Sequence, residues 1–333
     1  MTFNTTGSLF GAPEIPFEQI LHLEKNAPNL IVYAIPVMAF FTLLEMGVSW
    51  HQNKHLYKAK ESIGSTLVGL GNVLINLLLK VFLLYFFVWL YNVLPWRMAL
   101  NWWMLIPCYI LFDFCSYWAH RFSHFQRFLW STHVVHHSAE SYNLTVSFRL
   151  SWIQNIKIIF FLPVALVGFH PVVFFVVSQI SVLFQFWVHT EYIKKMPWIF
   201  EYIFATPSNH RVHHGSQEKY LDKNFAATFI FWDRLFNTYQ KEEERPIYGL
   251  TTKIGNRLNP IYLNFHELKD MYHDVRGAKG FKKKWFYVFG SPTKIYHEKL
   301  RRKEQLKETL KTESLRKDKV AVKERAASYS SMS

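Results

Sequence analysis

Three groups of histidine punctuate the chain: His120 and His124 in HRFSH, His133, His136 and His137 in HVVHH, and His210, His213 and His214 in HRVHH. Residues at i, i+3 and i+4 of a helix project toward one side, so each group can present its imidazoles to a common point. Imidazole suits Fe, Zn, Cu or Ni as a ligand. Eight such donors exceed what one ion coordinates, and the spacing therefore implies two metal ions. A lone HxxxH at a membrane edge is usually no ligand set. An HxxxH followed closely by HxxHH, with a second HxxHH beyond an apolar hairpin, is hard to obtain by chance.

A carboxylate can hold an imidazole in one tautomer and orientation. Asp113 lies seven residues before His120 on the same helical stripe, with Tyr117 between them, and both are expected to support the site in this way. Other histidines read differently. His51 and His55 imitate HxxxH but sit among lysines, His170 falls in a turn, and His22, His266, His273 and His297 read as ordinary polar residues. Asp222 and Asn224 either help fix the site or shape a turn, while Trp130, Tyr142 and Asn143 either line an entrance or simply pack.

The elements that must carry these groups are apolar. Segments 30–50, 66–94 and 102–119 are each long enough to span a bilayer, and 152–189 reads as an apolar hairpin turning at Gly168 to Pro171, its two arms not necessarily crossing. Lys80, alone in the second segment, must snorkel or pair. Short-loop lysines and arginines cluster after the first, third and last segments, which places the histidine groups and the C-terminus on the cytosolic side. The expected fold is an all-α integral membrane protein: four to five membrane-spanning or membrane-embedded helices under a cytosolic, histidine-rich helical cap. Residues 1–29 read as an N-terminal interfacial segment without a cleavable leader, 30–293 as the membrane-embedded catalytic domain, and 294–333 as a basic cytosolic tail, partly disordered.

The formal charge of +14 could suggest a nucleic-acid binder. From residue 279 onward, however, sixteen Lys or Arg face six Asp or Glu, and a tail against anionic lipid accounts for that surplus. No reading module for nucleic acid accompanies it. The only cysteines, Cys108 and Cys115, lie seven residues apart in one apolar helix, too far apart along its axis to bridge, and read as small core residues.

The pattern HxxxH, HxxHH, HxxHH resembles the membrane fatty acid hydroxylase and sterol desaturase superfamily over roughly residues 100–250. Within it, His189-Thr190-Glu191, the run Thr206 to Gly215, Asp222 to Phe225, Trp232-Asp233 and Tyr248 to Thr251 look most like the alkylglycerol monooxygenase branch. The resemblance implies two Fe ions held by His120, His124, His133, His136, His137, His210, His213 and His214, with His189 as a ninth ligand. It also implies an O₂-dependent oxidoreductase, a monooxygenase that hydroxylates or desaturates a lipid C–H bond. Ether lipid, sterol (including C-4 methyl oxidation), fatty acyl and carotenoid substrates share these ligands and stay open. A membrane zinc-binding or transport protein is the non-enzymatic alternative, though a transporter would carry acids inside its spans.

Electrons must come from outside, from a redox protein or a reduced pterin. The alkylglycerol branch carries Glu after the second histidine of the first group, where this chain has Phe125. A phenylalanine there is expected to dry the pocket, which points to a separate redox protein docking on the basic cytosolic face.

Overall fold

The computed structural model describes residues 10–252 and 254–330. Among these residues the elements are helical, with three isolated β-bridges and no strand. A short α1 (Ile20–Asn26) precedes α2 (Leu30–His51) and α3 (Ala59–Val93), the two helices long and apolar enough to cross a membrane. The second begins well before residue 66, so the loop between the two is only 52–58. Lys80 pairs with Glu24, as a cation on an apolar helix must. Along α3, Leu74, Leu77, Leu78 and Phe82 are exposed, an outer face suited to acyl chains rather than water.

Next comes α4 (Leu105–Phe125), the third apolar segment, whose far end carries the first histidine pair. The expected hairpin resolves into a 3₁₀ segment, Gln154–Phe161, running into α7 (Leu162–Leu166), then α8 (Pro171–Trp187). Both arms, Gln154–Leu166 and Pro171–Trp187, are shorter than the roughly 20 residues a span requires, in keeping with arms that are embedded rather than crossing. Gly168 turns between them at φ 93°, where a Cβ would also lie 2.8 Å from the Trp96 carbonyl. His170 caps α8 by accepting the Val172 N–H, so its ring serves the turn. Phe87, Phe112, Phe174, Val177, Cys108 and Cys115 meet in the main core, and both cysteines are free.

The cap is built from short helices between and after these: α5 (Arg127–Ser131), α6 (Val134–His137), α9 (Trp198–Ile203), α10 (Pro207–His213) and α11 (Phe231–Leu235). Behind them lie α12 (Pro260–Gly277), α13 (Phe281–Phe289) and α14 (Pro292–Ser330). Buried Arg127 ties this rear layer to the cap through Glu267 at 2.6 Å and Asp274 at 2.7 Å. The tail, expected to be partly disordered over 294–333, begins as a packed helix with Ile295 buried and stays helical to Ser330; residues 331–333 lie outside the described residues.

Candidate metal centre

The nine histidines come together, but not by sequence group. His120, His124, His133, His137 and His213 form one cluster, and His136, His189, His210 and His214 form the other; within each, the donor nitrogens lie within 4.8 Å of one another. The expectation that each group serves a single point is therefore corrected: both HxxHH groups are divided. Adjacent helical residues differ by about 100° in direction, so His136 and His137 face different clusters, as do His213 and His214. The clusters touch, with the His137 and His214 rings stacked at 4.4 Å.

The nitrogens are arranged as ligands. Nε2 of His133 lies 2.8 Å from Nε2 of His120 and 3.1 Å from that of His137, which lies 3.1 Å from Nε2 of His213. In the second cluster Nε2 of His189 lies 3.2 Å from that of His136 and 3.0 Å from that of His210. Bonds of about 2.1 Å to an ion at right angles give a ligand separation of about 3.0 Å, which these distances match. Buried His124 Nε2 and His214 Nε2 have no partner, a costly state that a metal would relieve. Burial, then neighbouring imidazoles, holds His137, His210 and His214 well below the usual histidine range. They stay neutral at pH 7, as ligation requires.

The opposite ring nitrogens are fixed by backbone. Nδ1–H of His120 donates to the Phe225 carbonyl at 2.7 Å, that of His213 to Lys223 at 2.9 Å, and that of His189 to Gln185 at 2.7 Å. Each bond selects the tautomer that turns Nε2 inward.

Asp113 and Tyr117 need a correction, because neither touches an imidazole. Fully buried Asp113 accepts the N–H groups of Thr228 and Phe229 at 2.9 and 3.1 Å and the Trp232 Nε1–H at 3.0 Å; the Tyr117 hydroxyl pairs with Thr238 at 2.9 Å. Asp233, read from the sequence only as part of the family resemblance, is the partner carboxylate and accepts from Phe225 and Ala226 N–H, both at 2.8 Å, a role sequence reasoning missed. Two buried acids thus hold the 222–229 loop whose carbonyls orient His120 and His213. The visible signal was an acid in an aromatic run, FWDRLF.

Asp222 lies 3.4 Å from His124 Nδ1 with φ 56°, so it shapes the turn and also faces the site; Asn224, φ 55°, binds Asn209 and Gln240 backbone instead. Trp130 packs 5.1 Å from the His124 ring and Tyr142 lies 5.2 Å from His214, while Asn143 caps a turn. His51 and His55 are exposed, far from either cluster in role. Also unforeseen was Glu45, buried on α2, which accepts from Leu144 N–H at 2.9 Å and from the Tyr57 and Thr190 hydroxyls. It ties the first apolar helix to the residue after His189.

Phe125 is corrected as well. It is 41% exposed and packs 6.0 Å from Phe225, which stands between it and the imidazoles, so it does not dry the metal space. Beside α4 an open cleft of about 370 Å³ is walled by Phe114, Cys115, Trp118, Ile159, Phe160 and Pro163, all of them apolar side chains.

Residues 105–238 match the fatty acid hydroxylase family, so the chain carries a domain of that family. More particularly, it is 35% identical to alkylglycerol monooxygenase of Homo sapiens over 83% of this chain and 62% of that protein. It is 38% identical to the alkylglycerol monooxygenase of Danio rerio over 72% of this chain and 54% of that protein. An ornithine lipid hydroxylase of Rhizobium tropici is 26% identical over 48% of each chain. The chain thus spans about three fifths of the length of the Homo sapiens relative. No solved structure matches it significantly.

Proposed function

We propose that this chain is a membrane lipid hydroxylase that inserts oxygen from O₂ into a C–H bond, using two Fe ions held by the five-histidine and four-histidine clusters. The observation that carries this reading is the pair of converging, neutral imidazole sets, oriented by backbone carbonyls at His120, His189 and His213. Bound iron would supply the redox chemistry for reducing O₂, which zinc lacks. The chain's own residues do the rest. The Nδ1 bonds of His120, His189 and His213 keep the donors aimed, and the walls from Phe114 to Pro163 take an acyl or alkyl chain and exclude water from it.

The identity to alkylglycerol monooxygenases makes an ether lipid the first substrate to test, ahead of sterol, fatty acyl or carotenoid substrates. The helices cross the membrane several times, with the clusters and the C-terminus in the cytosol, as the loop charges favour. Electrons come from an external donor; a redox protein fits the lysines at 282–284 on the rear layer, and a reduced pterin is the other choice. The test is iron analysis of the purified protein, followed by O₂ consumption on an alkylglycerol, a sterol and a fatty acyl lipid with each donor. Two irons with lipid-dependent turnover is the expected result; zinc without turnover sinks the reading.

A further inference from the structure

The cap holds a second cleft, of about 310 Å³, that shares no residue with the apolar cleft or with either histidine cluster. Residues of α9, α10 and α11 wall it, and three cations reach it: Lys195, Arg234 and Lys241. Among the described residues none of the three has an ion-pair partner. The two acids of the cleft are already committed. Glu242 accepts from Nε and one Nη of Arg211 at 2.6 and 2.7 Å, and Glu201 accepts the Met196 N–H at 2.9 Å and the Ser208 hydroxyl at 2.6 Å. With Glu242 neutralised by Arg211, three positive charges face the one remaining carboxylate.

Arg234 is held in place. Its guanidinium carbon lies 3.7 Å from the centre of the Tyr239 ring and 4.5 Å from that of Tyr202, and one Nη–H donates to the Glu201 carbonyl at 3.2 Å. Such cation–π contacts fix the side chain without consuming its charge. The other Nη makes no hydrogen bond and, unlike Nε, is not enclosed. A positioned guanidinium with two lysines at the same cleft suits an anion that has several acceptor oxygens, which is the chemistry of a phosphate.

The rim indicates where that phosphate comes from. Trp198, Ile199 and Phe200 on α9 are 75%, 49% and 46% exposed, three consecutive large apolar side chains, and Trp198 also lines the cleft. Water disfavours such a run, whereas the headgroup region of a bilayer accepts it, and basic pockets at that depth take lipid headgroups. We infer that this cleft binds the phosphate of an anionic membrane lipid, with Arg234, Lys195 and Lys241 on the headgroup and α9 set in the interface beside it. The site stands apart from the hydroxylase reading, since none of its residues is a proposed metal ligand or a wall of the apolar cleft.

Full-length, metal-loaded protein in dodecyl maltoside is tested by equilibrium dialysis with dihexanoyl phosphatidic acid, dihexanoyl phosphatidylcholine and inorganic phosphate, with protein-free micelles as the blank. Phosphatidic acid is expected to bind roughly tenfold or more tighter than either of the others, the scale of a charge-assisted hydrogen bond. Lys195→Gln/Lys241→Gln should bring it down to the phosphatidylcholine level with metal content unchanged, and Lys195→Arg/Lys241→Arg should keep the preference. Lys269→Gln/Lys279→Gln removes the same charge from exposed positions elsewhere and should leave the affinity within about twofold, because distant charges are screened. Equal loss in the two glutamine variants, or no loss in the first, overturns the site. Inorganic phosphate binding as tightly as phosphatidic acid overturns the lipid as its source. Neither outcome depends on turnover, so failure of the hydroxylase reading is told apart by the oxidation assay.

Discussion

The two histidine clusters look alike but are held differently. The five-histidine cluster draws two members from α4 and the rest from α6 with its N-cap and from α10, and two of its rings, His120 and His213, are oriented by a loop stitched down by Asp113 and Asp233. The four-histidine cluster has a single oriented Nδ1, that of His189 at the end of α8, and leaves His136 Nδ1 unpartnered. One site has a spare ligand and a braced frame, whereas the other has the minimum and leans on its neighbour. Redundancy is thus concentrated where backbone carbonyls orient more of the rings.

Removing a ligand from each side exposes the asymmetry most. His210→Ala should cut activity by more than about 100-fold, since loss of even a supporting partner costs 10–100-fold, and should lower bound metal toward one ion. His124→Ala should be as inactive yet keep both ions, because four donors remain. Equal metal loss in the two variants, measured by plasma mass spectrometry, would erase the distinction.

Acid should reveal the burial common to both clusters. Histidines of the unfolded chain take up protons near pH 6.5, whereas burial first, then neighbouring imidazoles, keeps His137, His210 and His214 neutral in the fold. Unfolding therefore binds protons below about pH 6.5, and metal-free protein loses stability as pH falls, by at most about 1.4 kcal/mol per pH unit for each histidine. Melting curves of the metal-free protein that stay level between pH 8 and 5 would contradict this.

Asp233→Ala is expected to cost about 10–100-fold in metal affinity, and selectively at the five-histidine cluster, because only His120 and His213 rely on the loop it holds. Competition with a chelator would show one ion leaving early. The smallest effects are expected at Phe125→Glu and His51→Ala: less than threefold in turnover, since both side chains lie on the exposed side. A strong gain of pterin-supported turnover in Phe125→Glu would return that position to the site.

The histidine clusters were legible because imidazole at helical spacing has few uses other than ligation, and the apolar segments because hydropathy fixes them. The division of each HxxHH was not, since spacing alone does not say that two short helices, α6 and α10, meet through their histidine rings and send consecutive residues to opposite clusters. Asp113 was singled out on its stripe, yet its partners are amides 115 and 116 residues later, and no local pattern encodes that meeting.

The adjacent pairs His136-His137 and His213-His214 act as two calipers. Each grips both centres across one peptide unit, and that unit is among the stiffest linkages in the chain. The gap between the centres is therefore dimensioned by backbone rather than by side-chain choice. It cannot open unless α6 and α10 rotate together, and a single-residue insertion inside either pair should dismantle both centres at once.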